Sequence, residues 1–155
     1  MDEDIKEAWT QLQTISTLTF NSSSTASVKT GWVGRGQGVV AMEMPDTSTI
    51  IYKENGTWNP ANGRAMAFHN TYRWKLCANG ISLEHLRFGP SAPVFLFQLE
   101  VADPQTLRSA CPHACAEDSY QAILNLGNPL KVTWTVNGPK FSETIEYRYH
   151  RHDQR

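Results

Sequence analysis

The chain has 155 residues, of which 40% are hydrophobic and 19% charged, a composition that excludes a disordered chain and is long enough for one domain, spanning 1–155, with a real core. Its formal net charge of −1 gives no electrostatic footing for nucleic acid or an anionic membrane, so neither is expected as a partner. No apolar stretch approaches the ~20 residues of a membrane helix, and the acidic opening Met1–Asp4 does not read as a secretory signal, which predicts a cytoplasmic location. The three cysteines, Cys77, Cys111 and Cys115, are an odd number in such a chain and are expected to be free thiols.

Taken in chain order, the N-terminal segment is the one convincing helix. Asp2 can cap it, acidic residues fill its first turn, and Ile5, Ala8, Trp9 and Leu12 fall on one stripe. That narrow stripe is expected to pack across one end of a barrel. Thr14 to Phe20 is rich in β-branched residues and reads as the first strand, and Asn21 to Ser27 as a polar loop. Gly38 to Met44 and Thr49 to Glu54 flank Pro45-Asp46, a turn signal. Arg64 to Leu76 carries Met66, Phe68, Tyr72, Trp74 and Leu76 on one face, a period of two. Asn79-Gly80 turns the chain into Ile81 to Phe88. Val94 to Val101 follows, then Asp103 to Pro112 as a loop. Ser119 to Leu126, Leu130 to Asn137 and Phe141 to His150 are the closing strands.

Nine or ten short strands joined by hairpins, with one helix, predict an all-β closed antiparallel barrel, with neighbours largely in chain order. Barrels of this size enclose small ligands.

The densest set of reactive residues is Cys111-Pro112-His113-Ala114-Cys115, followed by Asp118 and Tyr120. Thiolate and imidazole suit zinc, and Asp118 or His85 would complete a site, but the spacing is not that of an established zinc motif. A cysteine beside His113 would also suit nucleophilic catalysis, yet no oxyanion-forming motif accompanies it. Two ordinary thiols and a loop histidine is the simpler reading, and no metal or cofactor is expected. In Trp32-Val33-Gly34-Arg35-Gly36-Gln37-Gly38 the glycines alternate ahead of a strand, not a helix, so they read as a barrel bend or a close backbone approach; Arg35 is the functional candidate there. The residues expected to line a pocket are Arg35, Tyr52, Tyr72, Trp74, His113, Cys115, Asp118, Tyr120, Trp134 and Arg148. Of these, His113, Cys115, Asp118 and Tyr120 are expected to form one polar edge of the cavity.

From about Gly31 to Arg151 these motifs together resemble the calycin-like family catalogued as domain of unknown function 6314. The resemblance is carried by Gly36 to Val40, Ile51 to Gly56, Tyr72 to Leu76, Ile81 to Leu86, His113-x-Cys115-x-x-Asp118-x-Tyr120, Trp134-x-Val136-x-Gly138-Pro139-Lys140 and Tyr147-Arg148-Tyr149. After Gly-Pro-Lys that family commonly has a second basic residue, where this chain has Phe141. The resemblance implies a lipocalin-like barrel and supplies no catalytic assignment. Trp32-x-Gly34-Arg35-Gly36-x-Gly38 is also similar to the opening motif of the haem-binding nitrobindin barrels. Their iron ligand is a histidine near the start of the last strand, where this chain reads Lys140-Phe141-Ser142-Glu143.

The leading functional expectation is a binding module for a small, partly apolar molecule. The alternatives are a haem-binding or enzymatic barrel using His113 or Cys115, and a structural interaction domain with a filled core.

Overall fold

The computed structural model describes residues 2–24, 33–60, 63–109, 113–115, 118–137 and 142–152, with the backbone alone at 113–115, 118–120 and 137. Helix α1 (Glu3–Leu12) is followed by eleven strands among the described residues: β1 (Ile15–Ser24), β2 (Gly34–Asp46), β3 (Thr49–Pro60), β4 (Met66–Cys77), β5 (Gly80–His85), β6 (Val94–Asp103), β7 (Thr106–Ser109), β8 (His113–Cys115), β9 (Asp118–Asn125), β10 (Leu130–Asn137) and β11 (Ser142–Arg151). All the pairings are antiparallel. Pairing of β9 with β10 closes ten strands into a barrel, while β8 is hydrogen-bonded to β9 alone. This is the expected lipocalin/calycin-like all-β class with a short N-terminal helix.

The helix forms for local reasons. Asp2 accepts a hydrogen bond from the Asp4 backbone N–H at 2.7 Å, and Glu3 and Asp4 face the positive end of the helix dipole. Its stripe of Ile5, Ala8, Trp9 and Leu12 is buried, as expected. Three polar contacts then fix the helix across one end of the barrel. The Trp9 indole donates to the Thr47 carbonyl at 3.2 Å, the Gln11 side chain accepts from Gly127 N–H at 3.0 Å, and the Tyr52 hydroxyl donates to the Leu12 carbonyl. Beneath the plug lies a dense core that includes Ile50, Trp74, Ile81, Leu83, Leu99 and Leu124, each at most 2% exposed.

Several strands run differently from the sequence reading. β1 continues through Asn21–Ser24, read as loop, because it is held between β11 and β2 whatever its polarity. β2 starts at Gly34, and β3 runs six residues past Glu54 to Pro60. β5 ends at His85 instead of Phe88. The loop expected over Asp103 to Pro112 contains β7, which pairs with β6 on one side and β9 on the other. β7 thus stands between Val94–Asp103 and Asp118–Asn125, which are not direct ladder partners as chain order had suggested.

The alternating glycines lie in strand β2, as a close-approach reading requires. Gly38 faces Gly56 in register, and a Cβ on either would collide with the other strand's backbone. At Gly36 a Cβ would collide with the Phe20 ring, which lies over that position from β1.

Candidate functional site

The barrel ends are unequal. The end away from α1 holds a cavity of about 690 Å³. Its walls are aromatic: Phe20, Trp58, Phe68, Tyr72, Trp134 and Tyr147. Period-two alternation on β1, β3, β4, β10 and β11 brings them to one interior. They pack on one another by edges and tilts. Phe20 meets Phe68 edge-on at 5.4 Å, and Trp134 meets Tyr72 at 5.8 Å and Tyr147 at 5.7 Å. Gly36 makes room for the Phe20 ring, which a Cβ there would strike.

The cavity also reaches sideways. β5 stops at His85, opposite Tyr72, so Met66 to Asn70 of β4 pair with β3 alone among the described residues. Leu86, Arg87 and Phe88 border this gap together with His69 and Asn70. Leu86 N–H is tied to the Thr71 carbonyl at 2.8 Å, which fixes where the segment departs. Phe88 is 67% exposed, with the Arg87 guanidinium 5.1 Å from its ring centre. His85 stacks on Tyr72 with ring centres 4.8 Å apart. Its partial burial, and then the charge of Arg87, hold its pKa below the usual histidine range.

Behind Tyr72 and Tyr147 lies a buried carboxyl that sequence reasoning missed. Glu54 is fully buried and receives a hydrogen bond from the Tyr149 hydroxyl at 2.7 Å. Burial raises its pKa to about 8, and the Tyr149 hydrogen bond offsets this only in part, so the acid is held neutral at pH 7. Its Oε1 has no hydrogen-bond partner among the described residues, and neither do the indole nitrogens of Trp74 and Trp134. Burial pushes the phenols of Tyr72 and Tyr147 well above their ordinary pKa. The signal for Glu54 was in the sequence: it keeps the inward phase of Ile50 and Tyr52 on β3.

The expected site residues fall into four groups. Tyr72 and Trp134 line the cavity. Tyr52 and Trp74 are buried beyond it in the plugged half, in edge-to-face contact at 5.9 Å. Arg35 and Arg148 are exposed on the outer face of the barrel, bordering a separate shallow groove of about 240 Å³ with Gln37 and Glu146. For His113, Cys115, Asp118 and Tyr120 only backbone is described. His113 is opposite Tyr120 and Cys115 opposite Asp118, so register gives all four one face of the β8–β9 hairpin. Tyr120 keeps the parity of the buried Ala122 and Leu124. The polar edge expected from their side chains lies outside the described residues, as does Cys111. Cys77 is a free thiol.

Among the described residues no three His, Cys, Asp or Glu side chains lie close enough to hold a metal ion. At the start of the last strand, where the nitrobindin resemblance calls for a histidine, the described residues are Ser142 and Glu143. No helix among the described residues is long and apolar enough to cross a membrane.

Residues 9–151 match the profile of a family of unknown function (DUF6314). No curated protein sequence matches the chain.

Proposed function

The chain belongs to that family of unknown function, and we propose that it is a non-enzymatic binding module, a calycin-type barrel of one domain holding a small, partly apolar molecule in its open half. One observation carries this reading: about 690 Å³ of aromatic-walled space beside a half of the same interior that is filled. An interior built only for stability would close such a space, because each unfilled volume forfeits packing. The walls suit a flat or aliphatic body, and the polar groups stand at the inner end and at the mouth. Tyr72 and Trp134 are the expected site residues this reading retains, with Phe20, Phe68, His85 and Tyr147 added to them.

The test uses the uncharged fluorescent probe N-phenyl-1-naphthylamine and a variant that fills the space, Ile145→Trp. The full chain is expected to bind the probe with a rise in emission, and the variant to lose that binding while keeping its melting temperature within a few degrees. If the parent protein binds no probe, or the folded variant binds it equally well, the reading is wrong.

A further inference from the structure

We infer that the molecule taken by this cavity is an organic anion, its acidic group at the side opening beside Arg87 and His85 and its apolar body among Phe20, Phe68 and Trp134. The inference rests on the binding reading above and adds the sign of the ligand's charge.

The first support is a charge imbalance. Among the described residues, those lining the cavity include Arg87, His69 and His85 and no Asp or Glu. Glu143, which keeps the inward parity of Ile145 on β11, is not among them and has an interaction of its own. Lys6, Lys53, Arg73, Lys75, Lys131 and Arg148 each stand within 4 Å of a carboxylate. Arg87, like Arg35, Arg64, Arg108 and Arg151, has no ion pair among the described residues, and of these five it is the one that lines the cavity. The cation at the opening is therefore free to meet a ligand's charge.

The second support is the surplus of donors. Burial keeps the Tyr72 and Tyr147 hydroxyls, both of which line the cavity, protonated, so each brings a proton to the inner end. The one buried carboxyl nearby, Glu54, is protonated and does not oppose a negative ligand. A ligand rich in acceptors suits these hydroxyls, and an ammonium would meet donors instead.

The third support is placement. Arg87 lies on an exposed segment at the gap beside β4, where a charged head group stays at the water boundary. The cost of desolvating both charges is then small, and the apolar body enters an aromatic-walled space.

Two probes with the same ring system separate this inference from its premise: 8-anilinonaphthalene-1-sulfonate, an anion, and the uncharged N-phenyl-1-naphthylamine. On the full chain, Arg87→Gln is expected to weaken the anionic probe about 3- to 10-fold and the uncharged one less than about 2-fold. Arg87→Lys is expected to retain most of the anion's affinity, and added salt to weaken the anion selectively. Binding of the uncharged probe with an anion affinity indifferent to Arg87→Gln overturns the inference and leaves the binding reading standing. Failure of both probes on the unmodified chain overturns both.

Discussion

The two halves of this barrel are built from the same strands and solve opposite problems. In the plugged half, inward positions carry large side chains that meet each other and the helix: Trp74, Ile50, Leu83 and Leu99 are each at most 2% exposed. In the open half the same strands present Phe20, Phe68, Trp58 and Ile145, which are only partly buried, with Gly36 making room for the Phe20 ring. The difference teaches that alternation defines a barrel wall without defining what fills it. Filling is decided by which inward positions are large, and by whether a cap reaches that end.

The comparison is open to a direct challenge in three places. The largest expected effect is in the plugged half: Trp74→Ala should cost about 3–5 kcal/mol in denaturant unfolding, because the void it leaves is walled by tightly packed neighbours. A loss below about 1 kcal/mol would mean that this half is not the dense one.

The next lies at the boundary, at Glu54. Its folded pKa of about 8 stands above the ordinary 4.5, so between those values the folded chain holds a proton that the unfolded chain has released. Its contribution to stability is complete below about pH 4.5 and is lost as pH rises through about 8, at up to ~1.4 kcal/mol per pH unit. Glu54→Gln cannot titrate. Relative to the variant, the parent protein should lose melting temperature steadily from pH 5 to pH 8. Parallel profiles would show that the carboxyl is not held neutral.

The smallest effect is expected at the mouth. Phe88→Ser should leave stability within about 0.5 kcal/mol, since the ring is mostly in water already. A loss above 1 kcal/mol would mean that the mouth contributes to the packed core after all.

Much of this fold was legible in the sequence, and the residues say why. The helix stripe was readable because capping and spacing agree, and Leu130–Asn137 was bounded correctly because its alternation is regular and turns flank it. β7 was missed because four residues hold too few alternations to stand out from a segment opened by Asp103-Pro104. Asn21–Ser24 was missed because at the open end the inward side faces a cavity, which demands no apolar residue there. At the site, Tyr72 and Trp134 were legible as aromatics in phase. Arg35 and Arg148 were not placed outward, although parity with Gln37 and Glu146 puts them there. Glu54 went unremarked because charged residues are usually read as outward-facing even when their phase says otherwise.

One junction described above bears on how the closed wall opens. Among the described residues β9 has β7 beside it over three register pairs and β8 beside it over three more, while β2 and β3 share eleven. Between the two short ladders the Ala122 N–H is satisfied by the Ser109 hydroxyl at 3.1 Å instead of a backbone carbonyl. Closure there rests on few cooperative bonds, so amide protons around Ile123 should exchange with solvent sooner than those of the β2–β3 ladder. Each such opening turns a continuous cylinder into a sheet with two free edges, the state in which one copy can pair with another. The β7–β9 junction is therefore where such edge pairing would begin.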